Sequence, residues 1–179
     1  MLIRNKKGEV KEIIYDERQL YNYGINRISS RDYGRQELVV KMKRLQPDLE
    51  MINKVLDKLQ SQGYISDESR ARSLFNQFDG KESINKTIQR ILKIGISRDT
   101  IDDVVEQRRE QQVALSPDDE FDEDKMSVEV ENALELLGKK FRFYDFLKKD
   151  KMVRFLASKG YKYDSISKAI KHFSNEESS

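Results

Sequence analysis

Arg90–Val105 reads "RILKIGISRDTIDDVV", and Arg154–Ile170 reads "RFLASKGYKYDSISKAI". Both carry an apolar helical stretch, a glycine, a short polar turn and a second apolar helical stretch. With Gly95 laid on Gly160, the apolar residues Ile88, Ile91, Ile101, Val104 and Val105 meet Val153, Leu156, Ile166, Ala169 and Ile170. A shift of forty-nine residues upstream places Val39, Met42, Ile52, Val55 and Leu56 on the same positions, with Gln46 in the glycine's place and Pro47 after it. The spacing is helical in all three copies, and a self-similar phrase at a fixed period is the signature of a repeat architecture.

Each turn has a local cause. Gly95 and Gly160 stand where a helix must end, and glycine accepts the left-handed conformation that ties off the last carbonyls. Ser97 can cap the following helix, and Asp99 in its first turn suits the helix dipole. In the first copy Gln46-Pro47-Asp48 serves instead, because proline halts one helix and can begin the next. A further helix precedes each pair. Leu20, Tyr21, Ile25 and Ile28 give the first; Ala71, Leu74, Phe75 and Phe78 the second; Val130, Leu134, Leu137 and Phe141 the third. Ser66, with Asp67 and Glu68 behind it, is a helix start after a stop at Gly63–Tyr64.

The sequence therefore predicts an all-α chain of three tandem three-helix repeats in a thin or elongated body. The expected divisions are an N-terminal extension over 1–15, repeats over 16–63 and 64–112, an acidic linker over 113–125, a third repeat over 126–173 and a C-terminal tail over 174–179. Composition agrees: with 37% charged and only 37% hydrophobic residues in 179, a single thick core is disfavoured. Units so poor in large apolar groups must lean on their neighbours.

Composition also excludes. Without cysteine there are no disulfides and no thiolate metal sites. No stretch is apolar for long enough to cross a membrane, and the N-terminal "MLIRNKKGEV" lacks the apolar run of a signal peptide, so a soluble, cytoplasmic protein is expected. His172 is the only histidine, and neither a catalytic triad, a metal-ligand spacing nor a phosphate-binding glycine motif surrounds it. An enzyme is not expected, and neither is a cofactor or a metal. Asp118, Glu120, Asp122, Asp124 and Glu129 imitate calcium-loop positions, but Glu123 stands where glycine must make the sharp turn, so the segment reads as a spacer. Thr100–Gln107 imitates a DNA-reading helix, yet Asp99, Asp102, Asp103 and Glu106 would face the phosphates, and a structural turn is the better reading.

The net charge of +2 conceals an uneven distribution. Residues 113–124 carry six acids and no base, whereas residues 139–173 carry eleven Lys or Arg against three acids. Two basic rows are candidates for an anionic partner: Lys86, Arg90 and Lys93 at i, i+4 and i+7, and Lys148, Lys151 and Arg154 at i, i+3 and i+6.

The stretches "SRDYGRQELVVKMKRL", "INKVLDKLQSQGYISDESRARSLF" and "INKTIQRILKIGIS" resemble the RecX family of bacterial recombinase regulators. The matching positions are Arg31, Tyr33, Gly34, Glu37, Leu38, Gly63, Asp67, Ile84 or Ile88, Leu92 and Ile94–Gly95–Ile96, and the resemblance runs over about residues 16–173. The chain departs from the pattern at Gly34, where serine is more usual, at its first turn, which lacks glycine, and in the length of its acidic insert. The resemblance implies an elongated, curved, right-handed array of the three repeats that binds in the groove of a RecA–DNA filament and lowers recombinase and ATPase activity, a negative modulator of recombination and the SOS response; a monomer is expected. Single- or double-stranded DNA is a further partner to consider. Two other readings remain at this point: a helical module acting directly on DNA, and a helical protein-interaction scaffold without nucleic acid.

Overall fold

The computed structural model describes residues 2–4, 10–12, 16–45, 48–115, 127–141 and 148–175. The chain is a helical repeat array, with nine α-helices among the described residues. They are α1 (Glu17–Ile28), α2 (Arg35–Met42), α3 (Leu49–Ser61), α4 (Asp67–Phe78), α5 (Ile84–Lys93), α6 (Arg98–Leu115), α7 (Val128–Lys140), α8 (Lys149–Ser158) and α9 (Tyr163–Asn175). The N-terminal extension adds something the helical periodicity does not predict: a short antiparallel pair, β1 (Leu2–Arg4) with β2 (Val10–Glu12), in which Ile3 faces Lys11. Gln46 and Pro47, most of the acidic linker and the end of the tail lie outside the described residues.

Local chemistry starts and stops the helices. Asp16 caps α1 by accepting from the Gln19 N–H at 2.7 Å, while the Gln19 side chain accepts from the Asp16 N–H at 3.1 Å, a reciprocal capping box. Ser66 and Ser97 accept from the Ser69 and Thr100 N–H groups, so the two serine starts expected from sequence are in place. At the stops, the Ile96 N–H reaches the Ile91 carbonyl and the Tyr161 N–H reaches the Leu156 carbonyl. Gly95 and Gly160 sit between them at φ +91° and +89°. This is the six-to-one closure that needs a left-handed residue just beyond the helix.

The chain forms two compact units. One comprises Met1–Ser73 with Ile91–Val104, and the other Leu74–Arg90 with Val105–Ser179. The division falls inside the middle repeat, so α4, α5 and α6 each contribute to both. In the first unit Leu20, Leu38, Met42, Ile52, Leu56 and Leu59 form a core with no exposed surface. In the second, Val130, Ala133 and Leu137 of α7 pack with Met152 and Leu156 of α8 and Ile166, Ala169, Ile170 and Phe173 of α9. The fifteen apolar positions of the repeat register are all buried except Val105 and Val153, which are half-buried.

One joint recurs in both units. In the first, a methyl group on Gly95 would come within 2.6 Å of Gln36 Cγ, so the turn after α5 is seated on the first turn of α2. In the second, a methyl group on Gly160 would come within 2.7 Å of Lys86 Cβ and 2.8 Å of Ser83 Oγ, so the turn after α8 is seated on the first turn of α5. Each glycine thus closes its own helix and lets the preceding repeat approach. The first copy of the phrase has no glycine.

Candidate interaction surface

The first basic row lies on α5, and two of its three members are used inside the chain. Arg90 donates to the two oxygens of Glu82 at 2.7 and 3.1 Å, and its guanidinium lies 4.8 Å from the centre of the Phe78 ring. The Glu82 side chain is only 5% exposed, so its charge requires this partner, and Thr87 Oγ1 donates to the same carboxylate at 3.3 Å. Lys86 Nζ donates to the Ser158 carbonyl at the end of α8, where a cation also suits the dipole. Ser83 completes this contact: its N–H reaches the Lys159 carbonyl at 3.0 Å and its hydroxyl the Gly160 carbonyl at 2.7 Å. Lys93 is exposed.

The second row has a different character. Lys148 and Lys151 are exposed at the start of α8 and Arg154 at its middle, while Met152 and Leu156 point into the core. At i, i+3, i+6 spacing the row turns about 60° around the helix at each step, so it is a curved patch rather than a straight stripe. Lys148 is the N-cap residue and makes no side-chain cap; Lys149 and Lys151 follow in the first turn, with Asp150 the only acid there. Cations at a helix N-terminus oppose its dipole by roughly 0.3–1 kcal/mol each. Helix stability does not account for this cluster.

Beside it the structure groups residues that sequence spacing does not bring together. Phe155, half-buried, has Lys140 Nζ at 4.2 Å and Lys159 Nζ at 5.8 Å from its ring centre, and meets Phe141 edge-on at 5.9 Å. Tyr163, at the start of α9, is 74% exposed and borders a shallow groove with Lys149 and Lys171. A signal was present in sequence, in the aromatics interleaved among lysines over 139–163, but only the fold pairs them.

The residues carrying the family resemblance assemble at the N-terminus of α2. Glu37 accepts from the Gly34 N–H at 3.1 Å, from Arg70 Nε and Nη2 at 2.8 and 3.3 Å, and from Arg31 Nη2 at 3.3 Å. Asp67, the first residue of α4, accepts from the Arg35 N–H at 2.8 Å. Gly34 offers no side-chain oxygen to cap α2, and the Asp67 carboxylate does that work from another helix. A methyl group on Gly34 would lie 2.9 Å from that carboxylate. Arg31 stacks 4.3 Å from the centre of the buried Tyr33 ring, and Leu38 is fully buried behind it. Gly63, at φ +76°, ends α3 just before this crossing. The cluster ties α2 to α4.

The other candidates find no support as sites. Among the described residues no group of acids and histidine is placed to hold a metal ion, and no helix is long and apolar enough to cross a membrane. Of the calcium-like spacing only Glu129 is described. Asp99, Asp102, Asp103 and Glu106 line the exposed side of α6, an acidic face unsuited to phosphate. His172 is exposed in the last turn of α9.

Known proteins share the fold over most of the chain, and one segment matches a family model. Residues 127–170 match the family model described as RecX, third three-helix domain. The fold matches the crystal structure of RecX from Lactobacillus salivarius with a TM-score of 0.63 at 19% identity, covering 88% of this chain and 96% of that one. It also matches a crystal structure of regulatory protein RecX with a TM-score of 0.61 at 21% identity, covering 87% of this chain and 73% of that one. No curated protein matches. The family model thus marks one segment as similar to RecX, and the solved structures show that the fold is shared.

Proposed function

We propose that this chain is a regulator that binds a RecA–DNA filament and restrains its recombinase and ATPase activity, with no catalytic chemistry of its own. The observation that carries the reading is the exposed cationic patch of Lys148, Lys151 and Arg154, which lies inside the segment that matches the RecX family model. Lys148 and Lys151 sit where they weaken their own helix, and a groove presenting phosphate and acidic side chains would use all three charges. Lys93 is a further candidate contact, whereas Lys86 and Arg90 serve chiefly to hold the second joint and Glu82. A monomer acting in the cytoplasm fits this role. The test is binding to RecA assembled on single-stranded DNA, followed by fluorescence anisotropy of the labelled chain over a salt series. Saturable binding that weakens with salt is expected; absence of binding would contradict the proposal.

A second reading, direct binding of single-stranded DNA, draws on Tyr163. An exposed ring flanked by Lys149 and Lys171 is the arrangement on which a base can stack while its phosphates meet ammonium groups. Binding of equal strength to DNA alone, without RecA, would favour it.

A further inference from the structure

Around Phe155 the second unit gathers more cations than the α8 row alone. At about 100° per residue, Lys148, Lys151, Phe155 and Lys159 fall within roughly 80° of one another, so they form one stripe along the helix. From Lys148 to Lys159 that stripe is roughly 16 Å long, and Arg154 stands to one side of it. Lys140, in the last turn of α7, brings its ammonium to 4.2 Å from the centre of the Phe155 ring, and Lys159 brings its own to 5.8 Å. Phe141 meets the same ring edge-on at 5.9 Å, and both rings pack against the core of the unit, which fixes their place.

Helix dipoles account for only part of this arrangement. Lys140 and Lys159 each stand at a helix C-terminus, where a cation is favourable. That does not require both ammoniums to meet on one ring, where like charges repel. Among the described residues, acids do not relieve the crowding. Glu135 is drawn to Lys139 at 2.6 Å. Asp150, the only acid of α8, lies roughly 140° round the helix from Phe155. Lys140 and Lys151 are exposed and Lys159 is half-buried, so the stripe faces solvent. Its complement is an anion with several charges in a row.

We infer that this stripe carries a single phosphodiester strand, with Lys140 and Lys159 as phosphate contacts held in place by Phe155. The inference rests on the reading that the α8 patch meets the filament, and it gives that patch the DNA strand rather than an acidic protein segment. Apart from Arg154 at its side, the patch is built of lysine, a point charge without the planar fork by which arginine pairs with carboxylates. Two ammoniums crowd the Phe155 ring, so it is no stacking platform, and the contact is with backbone rather than bases.

The test is fluorescence anisotropy of a labelled single-stranded thymidine oligonucleotide with the full-length chain and no RecA, read over a salt series. The wild type should bind with a Kd of roughly 10⁻⁴–10⁻⁶ M that weakens as salt is raised. Lys140→Gln with Lys159→Gln should lower the slope of log Kd against log salt by roughly 0.7 for each ammonium removed, with the thermal midpoint kept. Phe155→Leu leaves an apolar group on the core and should weaken binding about threefold. An abasic strand of the same length should bind within about twofold of the thymidine strand, which separates the phosphate row from stacking on Tyr163. A glutamate peptide of matched charge should compete at least about tenfold more weakly than the oligonucleotide. The inference is overturned by no binding of the oligonucleotide, by an unchanged slope in the double lysine variant, by undiminished binding in Phe155→Leu, by loss of binding with the abasic strand, or by equal competition from the peptide. If filament binding persists through such a failure, the regulator reading stands and only the strand assignment falls.

Discussion

Gly160 stands directly over Lys86: a methyl group on the glycine would lie 2.7 Å from Lys86 Cβ, too near for any real contact. Gly95 stands over Gln36 in the same way. These two contacts give the repeated phrase its physical purpose, since one residue ends a helix and admits the helix before it.

Alanine at Gly95 or Gly160 should therefore be costly for two reasons, the positive φ and the collision. We expect a loss of about 2 kcal/mol or more in urea unfolding for each. Gly138→Ala is the control, for that glycine lies inside α7 with nothing within 4 Å of an added methyl group, and it should gain roughly 0.5–1 kcal/mol. Neutral effects at both turn glycines would show that the joint is not as described.

The clasp at the start of α2 makes a second prediction. Arg70 is 7% exposed in its side chain and depends on Glu37 for its countercharge. Glu37→Ala should leave that guanidinium buried and unpaired and cost about 3 kcal/mol. Replacing both residues by apolar ones of similar size should recover much of the loss, and a double-mutant cycle by thermal unfolding measures the coupling. Equal and additive losses from the two single variants would mean that the pair contributes nothing.

Much of this fold was legible because the repeat is written in local terms. Ile101, Val104 and Ile166 declare buried faces through spacing alone, and Ser66, Ser97, Gly95 and Gly160 mark helix ends within a few residues of the groups they satisfy. The partners that decide the fate of a charge are distant, and those were not legible. Lys86 reads as part of a basic row, yet its ammonium is held by Ser158, seventy-two residues away. Arg90 reads the same way, and nothing in spacing reveals that Glu82 is buried beneath it. Glu37, Asp67 and Gly34 were picked out by resemblance, but the reason they belong together, one helix capping another, exists only once α4 crosses α2.

The two basic rows should respond differently to charge reversal. Lys148→Glu, Lys151→Glu and Arg154→Glu together should leave the thermal midpoint nearly unchanged, because the side chains are exposed and the first two reversals improve the dipole match of α8. Binding to the RecA–DNA filament should weaken at least about tenfold, or 1.4 kcal/mol. Arg90→Glu should instead lower the thermal midpoint, since Glu82 would lose its partner and gain a like charge. A folded triple variant that binds as well as the wild type would reduce the α8 patch to a solvated surface.

The central claim is that this chain restrains RecA, and ATP hydrolysis by RecA already assembled on single-stranded DNA tests it most directly. Added after assembly, the purified chain should slow hydrolysis in a dose-dependent way, with the effect fading as salt is raised and with the triple α8 variant. Undiminished hydrolysis at several-fold excess of the chain over filament sites would contradict the account.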